Sequence, residues 1–130
     1  MPTRFVHDLP IDPEGSPVEA EVVFGHAQVG SYRCDLWATT TATQSTEIAH
    51  GNNVDSVVDS FNIPCPAASL PGQVLGVTVV VQAPDPGPGQ NYSVTVLFRQ
   101  DGNAIGVVTD SGAFPGGGDT VSRLHFVKFR

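Results

Sequence analysis

The chain has 130 residues, 40% of them hydrophobic and 15% charged, which suits one domain and excludes an intrinsically disordered chain. Six basic against 13 acidic residues give a formal net charge of −7, a field that repels a phosphate backbone and argues against a nucleic-acid partner. No apolar run reaches the roughly 18 residues of a spanning helix, so no membrane partner is expected.

The opening MPTRFVHDLPIDPEG lacks the apolar core of a secretion signal, so the simplest expected compartment is the cytoplasm; export by another route stays open. Pro2, Pro10, Pro13 and Pro17 punctuate this region. Proline has no N–H for a strand ladder, so residues 1–17 are expected to form an extended arm and not a central strand. Phe5, Val6, Leu9 and Ile11 make the arm apolar, to be packed on its own domain or on a neighbouring subunit. Residues 18–130 are expected to form the β-sandwich domain.

In VEAEVVFG, Ala20, Val22 and Phe24 alternate with Glu19 and Glu21. In QVGSYRCDLWA, Tyr32, Cys34 and Leu36 share one face, and Arg33, Asp35 and Trp37 share the other. STEIAHG and SVVDSFNI are short, weaker strands. QVLGVTVVVQA is the strongest: Leu75, Val77, Val79 and Val81 alternate, while Val74 and Val80 make the second face apolar too. Such a strand belongs inside a sheet or under a cover. NYSVTVLFRQ, AIGVVTD and TVSRLHFVKF bring the count to about eight strands, and no capped segment of helical period appears. Before NYSVTVLFRQ, Pro84, Pro86 and Pro88 stiffen the connector and stop the valine-rich strand from running on. The same rigidity would preorganise a binding edge.

Asp101-Gly102 stands where a two-residue type I′ turn needs positive φ at both positions. With Gln100 opposite Asn103, regular counting pairs Phe98 with Ile105, Val96 with Val107 and Val94 with Thr109 on one face. Together these features predict an all-β fold: an antiparallel β-sandwich of about eight strands, with a jelly roll as one topology and a closed barrel as the competitor.

Chemistry-bearing motifs are sparse. Cys34 and Cys65 form no CxxC pair and are expected as free thiols, with a disulfide between them as the alternative. His7, His26, His50 and His125 show no HxH or HExxH spacing. His26 and His50 both flank a glycine and could share a metal only if their strand ends met. There is no GxSxG elbow, and FPGGGD lacks the lysine and helix of a phosphate loop. The residues thus indicate no catalytic group, no metal site and no cofactor.

Two polar loops are the candidate ligand sites: Asn52, Asn53 and Asp55 in one, and Asp85, Gln90, Asn91 and Tyr92 in the other. Their amides, carboxylates and ring could take a sugar, and the oxygens could take Ca²⁺, although turns use the same residue types. Trp37 is either an exposed partner contact or covered by the N-terminal arm. The leading expectation is a non-enzymatic interaction or assembly module that self-associates, through its sheet faces and arm, or binds a protein partner. The first alternative is a lectin-like carbohydrate binder using the polar loops. The second is a small hydrolase, which would need His26, His50 or His125 beside a carboxylate or serine.

Overall fold

A computed structural model of the chain describes residues 3–25, 29–39, 42–52, 59–83, 90–114 and 120–130. Nine strands form among them: β1 (Thr3–Leu9), β2 (Glu19–Gly25), β3 (Val29–Trp37), β4 (Thr46–Asn52), β5 (Asp59–Asn62), β6 (Val74–Gln82), β7 (Asn91–Gln100), β8 (Asn103–Ala113) and β9 (Thr120–Phe129). A 3-10 turn, Ala67–Ser69, precedes β6. The proline-rich connector at 84–89, the glycine run at 115–119 and His26 lie outside the described residues.

The strands make two stacked sheets, an antiparallel sandwich as the alternation predicts. One has the order β1-β9-β6-β3-β4 and the other β5-β2-β7-β8. Every pairing is antiparallel except β1 on β9. The two-faced strand β6 takes the centre of the five-stranded sheet. Its Leu75, Val77, Val79 and Val81 are buried between the layers, against Ala20, Val22, Val94, Val96 and Phe98 of the other sheet. Phe98 and Phe129 meet edge to face, 6.3 Å between centroids, and tie β7 to β9 across the interior. Each such side chain contributes about 1.5–3 kcal/mol through burial.

The proline-bearing N-terminal region packs on its own chain. Residues 3–9, the proline-free stretch between Pro2 and Pro10, form a strand at the sheet edge. Past Pro10, the Gln100 side chain hooks the next loop. Its Oε1 accepts from the Asp12 N–H at 2.9 Å, and its Nε2 donates to the Asp12 and Ser16 carbonyls. Ile11 N–H bonds the Arg130 carbonyl, and Arg130 N–H bonds the Leu9 carbonyl. The C-terminal strand therefore clasps the arm along its length.

The β7–β8 hairpin corrects the register expected from counting. The turn is as predicted, with φ of 55° at Asp101 and 78° at Gly102, and Gln100 does face Asn103. One step later the ladder shifts. Arg99 faces Ala104, but Phe98 faces Gly106, leaving Ile105 as an extra residue. Val96 then faces Val108, and Val94 faces Asp110. Ile105 still packs against the core, so two consecutive residues turn inward at this bulge. The physical reason lies at Gly106, where the Leu9 side chain of β1 occupies the space a Cβ would need. In the counted register Ile105 would stand in that row, opposite Phe98.

The shift has an opposite outcome for two adjacent valines. Val107 is 59% exposed and Val108 is 7% exposed. Val107→Asp should change stability by no more than about 0.5 kcal/mol, as surface changes do. Val108→Asp should cost about 3 kcal/mol or more, because it buries an unpaired charge. Urea unfolding of the two variants checks the pair; equal losses would restore the counted register.

Candidate interaction face and the polar cluster behind it

Alternation sends half of each strand in the five-stranded sheet to its outer surface. On β1, β9, β6 and β3 those residues include Val6, Phe126, Val74 and Trp37. Together with Thr39, Ala42 and Lys128 they line a shallow hollow of about 390 Å³. Val6 is 76% exposed and Val80, further along β6, 37%. Trp37 is half-buried, its ring edge-on to Phe126 at 5.8 Å. It lies flat on the sheet because Gly76 beneath it has no Cβ; an added one would sit 2.5 Å from the indole. Trp37 is therefore neither fully covered by the arm nor free, and Val6 of the arm borders the same hollow.

Charges of both signs flank this apolar surface. Arg33 bonds Asp35 at 3.0 Å and approaches Glu47 at 3.6 Å, and His50 approaches Glu47 at 3.5 Å. Asp8 and Arg130 pair at 2.9 Å. The outer side of the other sheet is more polar, with Arg99 paired to Glu21 and near Glu19 across β2 and β7.

Behind β1, on the inner side, lies a cluster whose residues share no local sequence motif. His125 of β9 is 3% exposed, with Nε2 2.9 Å from Asp110 Oδ2 and Nδ1 3.0 Å from His7 Nε2. Arg123 Nε stands 3.4 Å from the same carboxylate oxygen, and its Nη2 donates to the Tyr92 hydroxyl at 2.8 Å. That hydroxyl lies 3.3 Å from Asp110 Oδ1. Phe5 stacks on the His125 ring, 4.8 Å between centroids. The cluster crosses four strands in two sheets, from β1 through β9 to β8 and β7.

Its chemistry follows from the donor count. An ionised Asp110 only accepts, so a neutral His125 presents Nε2–H to it and leaves Nδ1 as acceptor. His7 then donates Nε2–H to that nitrogen. Burial first, and then the proximity of His125, hold the His7 imidazole below its ordinary range. The carboxylate–histidine pair that a hydrolase would need is thus present, but both nitrogens of His125 are engaged, by Asp110 and by His7.

The sequence gives half of this signal: Arg123 and His125 sit in the apolar row of Val121, Val127 and Phe129. It misses the other half because the counted register turns Thr109 inward and Asp110 outward. The three C-terminal cations do not form one patch. Arg123 points inward to Asp110, Lys128 borders the outer hollow, and Arg130 pairs with Asp8.

The polar-loop residues are dispersed. Asn52 is exposed at the end of β4, Gln90 is half-buried before β7, and Asn91 is exposed at its start. Tyr92 is buried, its ring 5.4 Å from Phe114 and its hydroxyl inside the polar cluster. Asn53, Asp55 and Asp85 lie outside the described residues. At the opposite lip of the sandwich, Tyr32, Glu47, His50, Asp59 and Ser60 border a cleft of about 540 Å³. The Asp59 carboxylate accepts from the Tyr32 hydroxyl there, which raises the phenol's pKa together with burial, the larger cause. No group of three or more His, Cys, Asp or Glu able to hold a metal occurs among the described residues.

Both cysteines are free, as expected. Cys34 is fully buried, and burial pushes its thiol up to about 12, with the neighbouring Asp35 charge adding to the shift. Comparison with protein-family models, curated proteins and solved structures gives no match.

A thiol reagent at neutral pH should modify the native chain at Cys65 alone, since the thiolate is the nucleophile and Cys34 is buried and protonated. Mass spectrometry of the labelled protein checks this; Cys34 should react only after unfolding, and its rapid labelling in the native state would contradict the packing described.

Proposed function

We propose that the chain is a non-enzymatic association module that pairs with a second copy through the outer face of its five-stranded sheet. The observation that carries this reading is the apolar surface of Val6, Trp37, Val74, Val80 and Phe126 on an otherwise acidic protein. Exposed contiguous apolar surface marks interaction sites more often than it occurs by chance. An aromatic centre within a polar rim is also the composition of interface cores. A second copy is favoured over a partner of one charge sign because the rim carries both signs. Arg33 and Lys128 lie on the same face as Glu47 and Asp8, so a two-fold axis can place unlike charges opposite each other. The N-terminal arm contributes through Val6, from a strand seated in its own sheet.

The carbohydrate reading has less support, because Tyr92, its one aromatic, is packed in the interior. The hydrolase reading lacks a nucleophile among the hydrogen-bond partners of His125.

Size-exclusion chromatography with light scattering tests the proposal at micromolar concentration. The natural chain is expected to run as a dimer. Val6→Glu, placed on an exposed position, should weaken the dimer at least about tenfold, a change of about 1.4 kcal/mol, while leaving the melting temperature of the monomer nearly unchanged. A natural chain that is monomeric throughout, or a Val6→Glu chain that dimerises equally well, overturns it.

A further inference from the structure

We infer that the His7–His125 pair, backed by Asp110, is an acid-sensitive latch that holds the leading half of β1 in the five-stranded sheet. The inference starts from the hydrogen at the centre of the pair. His7 Nε2 and His125 Nδ1 are 3.0 Å apart, a separation that requires one proton between them. When both rings are neutral, His7 donates. When the pair takes up one proton, the contact survives: a protonated His7 goes on donating, and a protonated His125 donates to a His7 that has changed tautomer. When each ring carries two protons, N–H faces N–H and two like charges are held in stacked rings 5.2 Å apart. The second proton therefore breaks the contact that the first leaves intact.

The surroundings decide which way that stress is released. Among the described residues, Asp110 from β8 is the carboxylate in contact with the pair, and Arg123 of β9 already shares it. From β7 the facing polar group is the Tyr92 hydroxyl, bound to Arg123 and Asp110. Strand β6 offers Leu75, Val77, Val79 and Val81 on that side, with no charge. On β1 itself Asp8 is turned to the other face and paired with Arg130. One carboxylate thus faces Arg123 and two imidazoles, and cannot offset a third positive charge.

His125 is walled in by the core, whereas His7 rides on an edge strand. Beyond His7, the chain is anchored by buried Leu9 and by the Gln100 hook on Asp12 and Ser16. Ahead of it, apart from the backbone ladder, the described side-chain contacts are the Phe5 stack and the half-exposed His7 ring itself. Residues up to His7 are therefore the part that opens. His7, held below its ordinary range, resists the second proton in the closed form and accepts it on opening. By linkage, closure is favoured above the ordinary imidazole value of about 6.5 and weakens as pH falls below it.

Val6 belongs to the opening segment, so acid would also remove it from the association face. That consequence rests on the proposed self-association; the latch does not. Hydrogen exchange of backbone amides, followed by NMR, tests the latch in the natural chain and in the dimer-weakened Val6→Glu chain. Between about pH 7.5 and about pH 5, above the range in which ordinary carboxylates titrate, protection of the β1 amides should fall at least about threefold more than that of β2, after correction for intrinsic rates. The His7 ring signals should titrate below the ordinary imidazole range. His7→Gln retains an N–H donor, or an acceptor after an amide flip, without a titrating group. It should keep β1 closed and abolish the pH dependence, while His50→Gln should leave it intact. Equal pH response of β1 and β2, or an unchanged response in His7→Gln, overturns the latch.

Discussion

One extra residue in β8 organises the molecule. A hairpin closed by Asp101-Gly102 would ordinarily run in strict two-residue alternation, and every side chain beyond the turn would follow from the turn. The bulge at Ile105 breaks that rule once, and from there to the end of the strand inward and outward residues exchange places. Two results depend on it. Gly106 falls under Leu9, so the N-terminal strand can close against the second sheet. Asp110 falls inside, so the carboxylate meets His125 and Arg123.

The interior is then a valine and phenylalanine sandwich with a polar inclusion at one lip. Burying a carboxylate, a guanidinium and an imidazole is costly unless each is bonded. Here the cost is offset by a connected set of partners from four strands. Such a set specifies register strongly, because a slipped β8 would leave Arg123 and His125 inside without their carboxylate. On the opposite surface of the same two strands, Val6 and Phe126 continue the hollow that holds Trp37. Strand β1 thus has His7 on one face and the exposed Val6 on the other. This juxtaposition is what links the latch to the association face.

Much of the framework was legible in the residues. The alternation of Ala20, Val22 and Phe24, and of Leu75 to Val81, gave the inner faces correctly, because period-two burial is a local property. The apolar second face of β6 pointed to its central place in the sheet. The turn at Asp101-Gly102 was readable because positive φ leaves few residue choices. What could not be read was non-local. A bulge is selected by the fit of Gly106 to Leu9, almost a hundred positions earlier in the chain, and no pattern within β8 announces it. For the same reason the polar cluster shows only in part: Arg123 and His125 stand out in an apolar row, but His7, Tyr92 and Asp110 share no motif spacing with them and meet them only through the strand order. Tyr92, grouped in sequence with a polar loop, shows the converse. A loop-like neighbourhood did not keep its side chain out of the core.

The register of β8 against β7 is the claim on which these conclusions stand, and through-space proton contacts measured by NMR read it directly. The structure requires backbone contacts between Val96 and Val108 and between Val94 and Asp110. Contacts of Val96 with Val107 and of Val94 with Thr109 in their place would return Asp110 to the surface and leave the account without its foundation.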